Sequence, residues 1–231
     1  MPSSPEAEEA QKREEFEQLA EELSAYKIRA AAYKKIIERY ADFITASEQK
    51  TVPQLKELVK PLDPAVVNAK KAICGRLAES NRGNAYAEKF EYDHSRDFPK
   101  AAELSLDLVK SFKPVRADLS VSYWLSPSEV EELGAADPLD KAIFLCSLLR
   151  ALECKSARVR MVELEGRSTH PLVLFEFEGK SFLVDPGNQN AEISGRENVT
   201  FESQLAGFKA NGLRCTRSLY EFNDLEYEEF E

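Results

Sequence analysis

The side chains able to do chemistry are few. The chain has four cysteines (Cys74, Cys146, Cys154 and Cys215) and two histidines (His94 and His170). A thiol becomes a useful nucleophile where its pKa is lowered, as at a helix N-terminus or beside an imidazole. Cys146 lies among Ile143, Phe144, Leu148 and Leu149, an apolar setting that raises a thiol pKa and reads as core. Cys154 falls near a helix end, where the dipole opposes a thiolate. Cys74 and Cys215 are unconstrained. No two cysteines form a CxxC pair, so neither a zinc site nor a disulfide frame is indicated, and no cofactor or metal motif occurs elsewhere. His94, in Tyr92-Asp93-His94-Ser95, has no spaced partner and reads as surface loop. His170 stands just before a strand and ahead of Asp185, and an imidazole near a carboxylate can work as a general base. Asp185-Pro186-Gly187-Asn188 is also a good turn in its own right. Ser126 and Ser128, close to Trp124, lack the glycines of a nucleophile elbow, and N-capping accounts for Ser126.

The elements that must position these residues follow from periodicity. Residues 1–12 are Ser, Pro, Glu and Ala in character and are expected to be disordered. Phe16, Leu19, Leu23, Tyr26, Ala30, Tyr33, Ile37, Tyr40 and Ile44 then alternate by three and four, a heptad seam. They predict a coiled-coil-like helix over 13–46, reaching back to about Glu8, roughly 55–60 Å long. Its seam suits a homo-oligomer or packing on the same chain. A helical region is expected over 51–118: Thr51 caps a short segment with Leu55, Leu58 and Val59 on one face. Helices from Pro64 to Glu79 and from Phe98 to Lys110 follow it, with a loop at Ser80–Asn84 between them. From about Leu119 the texture changes. Ser126-Pro127 opens a short helix, Pro138–Glu153 a longer one, and Arg158–Leu164, Pro171–Phe177, Lys180–Val184 and Cys215–Phe222 read as strands. Glu178-Gly179 signals a hairpin. Residues 223–231, NDLEYEEFE, read as a solvated acidic tail. The fold class is therefore α+β, with one buried helix packed on a small antiparallel sheet.

Five short motifs within this framework occur in a telling order. Ala136-Asp137-Pro138-Leu139-Asp140-Lys141-Ala142 opens the long helix, which runs into Leu148-Leu149-Arg150-Ala151-Leu152. Ala157-Arg158, Thr169-His170-Pro171-Leu172-Val173 and Phe182-Leu183-Val184-Asp185-Pro186 follow. Over residues 133–186 this resembles the catalytic core of the transglutaminase-like superfamily of papain-like thiol enzymes. That family shows a Gly-Asp-Cys-x-Asp-x-Ala helix start, a Leu-Leu-Arg-Ala-Leu stretch and an Ala-Arg strand. A His-Ala-Trp-type strand and an Asp-Pro strand end follow. The resemblance implies a transglutaminase-like core over 119–222, with His170 as the base and Asp185 as the acid that orients it. The nucleophile position falls on Pro138, which has no thiol. Asp137-Pro138-x-Asp140 is also an ordinary helix start, with an N-cap, a first-turn proline and an early acid.

The resemblance implies a catalytically degenerate protein- or peptide-binding module, a pseudoenzyme working as a scaffold. The alternative is an active thiol-dependent peptidase, amidase or acyl transferase of the same superfamily using a relocated cysteine. A third possibility leaves the biology to the coiled-coil helix. Composition narrows the partners. With 31 Lys and Arg against 41 Asp and Glu, a formal charge of -10, the chain repels phosphate backbones and anionic membranes. No basic patch, secretion signal or long apolar run is visible, so neither nucleic acid nor membrane is an expected partner, and the expected location is the cytoplasm.

Overall fold

The computed structural model describes residues 5–42, 44, 50–80, 90–115 and 124–230. Helix α1 (Pro5–Arg39) begins inside the segment expected to be disordered. Its early Glu, Ala, Gln, Lys and Arg residues are strong helix formers, and proline is tolerated in a first turn. The helix closes at Tyr40, whose N–H is shared between the Ile36 and Ile37 carbonyls at 3.2 and 3.1 Å. Phe16, Leu19, Leu23, Tyr26, Tyr33 and Tyr40 are each 54–74% exposed, so the apolar seam faces solvent. The expected last turn at 45–46, the loop at 81–84 and the boundary at 118–119 lie outside the described residues.

Residues 50–116 and 123–231 form one compact unit. The short helix α2 (Val52–Lys56) is capped by Thr51, whose N–H donates to Gln54 Oε1 at 2.9 Å. Helices α3 (Pro64–Ser80) and α4 (His94–Ser111) follow, then a two-residue strand β1 (Lys113–Pro114). Helix α5 (Pro127–Leu133) starts on Ser126, whose N–H donates to Glu129 Oε2 at 2.8 Å. After it, β2 (Ala135–Ala136) pairs with β1 in parallel.

The central element is α6 (Pro138–Ala151). Ile143, Phe144, Leu145, Cys146, Leu148 and Leu149 are buried on every side of it. A helix that is apolar all round must be enclosed; α3, α4 and α5 cover it on one side and the sheet on the other. Ser147 Oγ of this helix accepts the Lys60 N–H, just beyond α2, at 3.0 Å.

The sheet contains β3 (Arg158–Leu164), β4 (Thr169–Phe177), β5 (Lys180–Val184), β6 (Gly195–Glu197), β7 (Lys209–Ala210), β8 (Leu213–Phe222) and β9 (Tyr227–Glu229). Their order is β6-β5-β4-β3-β8-β7, with β9 on β8, all antiparallel. Glu178 and Gly179 both take positive φ, 49° and 75°, which joins β4 to β5 through the tight turn their types allow. Helix α7 (Phe201–Ala206) lies between β6 and β7. Period-two alternation gives the sheet two faces. Val173, Phe175 and Val184 enter the large core around α6, while Val162, Leu164 and Leu172 meet Leu205 and Ala210 in a smaller core under α7.

Three expectations need correction. The acidic segment after Phe222 is not free tail: β9 pairs Tyr227 with Phe222 and Glu229 with Tyr220. Its aromatics anchor it, since Tyr227 stacks on Tyr220 at 5.9 Å and Phe230 lies 4.5 Å below the Arg160 guanidinium. His94 is not surface loop but the first residue of α4. Its Nδ1 is 2.9 Å from the Leu152 carbonyl, and its ring packs on Phe98 and Phe177. Strand β4 begins at Thr169 and therefore contains His170 opposite Val162. Pro171 is tolerated because β5 ends opposite Val173, leaving β4 without a neighbour on that side.

Candidate functional site

Helix α6 begins as its residues dictate. The Asp137 side chain accepts the Asp140 N–H at 2.8 Å and Pro138 takes the first helical position, where a missing N–H costs nothing. On the sheet, His170 Nε2 lies 2.9 Å from Asp185 Oδ2. The other carboxylate oxygen accepts the Gly187 N–H at 3.0 Å, so the turn that ends β5 fixes the Asp185 side chain. Both side chains are about nine-tenths buried. Asp185 as acceptor places the neutral imidazole's proton on Nε2 and leaves the Nδ1 lone pair available. Among the described residues Nδ1 has no hydrogen-bond partner. The ring rests against Phe208, with centroids 5.9 Å apart.

Pro138 reaches the same turn. A Cβ built on Gly187 would lie 3.1 Å from Pro138 Cβ and 3.2 Å from Asp185 Oδ1, so a side chain there would push the helix start or the Asp185 carboxylate back by a few tenths of an ångström. The structure thus brings the three positions named from sequence together: a bonded imidazole–carboxylate pair, with Pro138 against the turn that holds it. An imidazole so arranged can take a proton, but Pro138 offers it no acid to deprotonate.

None of the four cysteines lies within hydrogen-bond reach of His170. Cys146 is fully buried eight residues along α6 from Pro138, about 12 Å away by helical rise. Burial pushes its thiol far up. Cys154 is also raised by burial, and its Sγ faces Ser156 Oγ at 3.6 Å. Cys74 lies on α3 and Cys215 on β8, and burial raises both thiols. Cys215 shares the smaller core with Phe208 but is two strands from β4, about 10 Å by strand spacing. A raised pKa is the opposite of what an activated thiol needs.

Two buried charges beside Pro138 escaped the sequence reading. Asp140 is 1% exposed; its Oδ1 accepts the Leu125 N–H at 2.8 Å, while Oδ2 has no partner among the described residues. Burial, and then the neighbouring Asp137, push its carboxyl up to about 7. Lys141 is 2% exposed with an unpartnered Nζ, and burial pushes its pKa down. The available signal was positional. Both stand in a helix whose later turns are apolar on every face, so residues 140 and 141 could not both reach water.

Among the described residues no group of three or more His, Cys, Asp or Glu side chains could hold a metal ion, and no helix is long and apolar enough to cross a membrane. No protein-family model matches the chain, and no curated protein does either. Among solved structures the chain is similar to Legionella pneumophila LapG at 18% identity and a TM-score of 0.40, over 69% of this chain and 87% of LapG. EGTA-treated LapG gives 16% identity and a TM-score of 0.42, covering 70% and 86% of the two chains. Calcium-bound LapG gives 17% and 0.39, covering 68% and 88%.

Proposed function

We infer that this protein is a transglutaminase-like domain without its nucleophile, which binds a protein or peptide segment and does not turn it over. The observation that carries the reading is the 2.9 Å His170–Asp185 pair kept intact beside a helix start occupied by Pro138. A base and its orienting acid without a nucleophile can still hydrogen-bond a bound segment, with the Phe208 ring beside the imidazole as an apolar contact. Reactivity tests this directly. Iodoacetamide labelling of Cys74, Cys146, Cys154 and Cys215 is expected to be no faster than that of a free thiol and indifferent to His170→Ala. In Pro138→Cys the added thiol is expected to react about tenfold faster than a free thiol at neutral pH, and to lose that advantage when His170→Ala is added. A native cysteine that reacts fast and depends on His170 would overturn the reading in favour of an active thiol-dependent peptidase, amidase or acyl transferase. An unreactive thiol in Pro138→Cys would remove the idea of a remnant site.

The exposed seam of α1 supports a separate assembly role, as a homo-oligomer. Spacing of three and four residues makes the face from Phe16 to Tyr40 self-complementary, and its side chains have the exposure of an unpaired zipper. Leu23→Glu places a charge at the middle of that seam. The full chain is expected to sediment as an oligomer and Leu23→Glu as a monomer. Equal masses would end the homo-oligomer reading.

A further inference from the structure

In a chain with ten more acids than bases, a concave site without a carboxylate stands out. Edge strand β6 sets Arg196 opposite Ser181 of β5, and facing it α7 leads through Phe208 into β7. Between them is a cavity of about 270 Å³ with Leu183 and Phe208 as apolar walls and Ser194, Arg196, Gln204 and Lys209 as polar ones. Neither Arg196 nor Lys209 has an ion-pair partner among the described residues. Gln204 is 8% exposed and held in place by one Nε2–H donated to the Ser181 carbonyl at 3.3 Å, which leaves its second N–H unused. Lys209 stands directly opposite Arg214 across β7 and β8, a like-charge pairing, and the one carboxylate bonded there among the described residues, Glu165, accepts the Arg214 N–H at 3.1 Å and lies outside the cavity lining.

The cavity adjoins the His170–Asp185 pair. Phe208 is a wall of one and packs against the ring of the other. Leu183 lies two residues before Asp185, on the same face of β5 by strand alternation. We propose that this cavity captures a carboxylate of a bound peptide, from an Asp or Glu side chain or from a chain end, and seats that peptide beside His170. A guanidinium fork takes a planar carboxylate through two parallel hydrogen bonds, an ammonium adds a second charge, and Leu183 and Phe208 cover an aliphatic stem. The proposal rests on reading the site as a peptide-binding surface and not on the loss of the nucleophile.

The test is a titration of the full chain, labelled with nitrogen-15, at neutral pH. The probes are N-acetyl-glutamate N-methylamide, its glutamine counterpart, N-acetyl-alanine with a free carboxylate, and the phosphoserine counterpart of the first. A carboxylate probe is expected to give saturable amide shifts at Arg196, Gln204 and Lys209. The glutamine probe should bind about tenfold more weakly or worse. Response to the glutamate probe assigns a side-chain carboxylate, and response to the alanine probe a chain end. Arg196→Gln and Lys209→Gln should each weaken binding about tenfold while shifts elsewhere in the spectrum stay in place, which shows the fold intact. No saturable shift at these amides, equal binding of the glutamine probe, or binding of the phosphoserine probe alone would overturn the proposal. Thiol reactivity in Pro138→Cys is measured separately, so a failure here is distinguishable from a failure of the remnant-site reading.

Discussion

Asp140→Asn is expected to stabilise the protein at pH 8 and to change it little below pH 4. The folded environment moves this carboxyl from 3.8 to about 7, first through burial and then through Asp137. A folded pKa above the unfolded one means that the native state binds the proton more tightly. The associated stability is fully present below pH 3.8, is lost as pH rises through about 7, and is flat beyond that. The full span corresponds to about 4 kcal/mol. Asparagine keeps an oxygen for the Leu125 N–H and leaves the Asp137 cap of α6 untouched. It also has no charge to desolvate. Urea unfolding of wild type and variant at pH 4, 6 and 8 measures the difference. The curves should separate progressively with pH, by up to about 4 kcal/mol. Curves that stay parallel would show that Asp140 is ionised without penalty, through solvent access or a partner that its unsatisfied Oδ2 does not reveal.

That residue illustrates how much of the molecule its sequence carried. The strands β3 and β5, and the helices α3 and α6, lie close to where alternation, capping residues and prolines put them, because these signals are local. The Ser126 and Asp137 caps are equally local. What the local signals could not supply was contacts made over distance. The NDLEYEEFE segment reads as solvated because its charges dominate. Its fate as β9 is set by Tyr227 finding Tyr220 and Phe230 finding Arg160. His94 lacked a partner in sequence because that partner is the carbonyl of Leu152, far along the chain.

The candidate site divides in the same way. His170, Asp185 and Pro138 were named from the order of short motifs, and the geometry bonds the first two and sets Pro138 against the turn that follows Asp185. Arg196 and Lys209 were invisible. They lie on opposite sides of α7 in sequence and neither belongs to a motif, so only the curl of β6 and β7 around that helix brings them to one cavity. Asp140 and Lys141 carried a weaker warning. Charged residues at a helix start read as solvated by default, and that default fails when the start is roofed by another segment, as the Leu125 N–H on Asp140 shows.

The same long-range packing puts side chains of the helices and of the sheet into one core, and Phe98→Ala tests whether they fold as one unit. Phe98 on α4 is 1% exposed. Its ring centroid is 4.7 Å from His94, 4.9 Å from Phe177 and 5.7 Å from Phe175, and Phe175 in turn stacks on Phe182 at 4.6 Å. Truncation removes the ring that couples α4 to β4 and leaves a cavity that aromatic neighbours cannot close. A loss of about 3–5 kcal/mol is expected, against about 0.5 kcal/mol or less for Leu62→Ala, whose side chain is 89% exposed. The form of the transition matters as much as its midpoint. If α3, α4 and α6 share their core with the sheet, tryptophan fluorescence at Trp124 and far-ultraviolet dichroism should fall together in one step, for wild type and variant alike. Two separated steps in Phe98→Ala would mean that helices and sheet fold independently. The α4–β4 ring cluster would then be a contact between domains and not the centre of one.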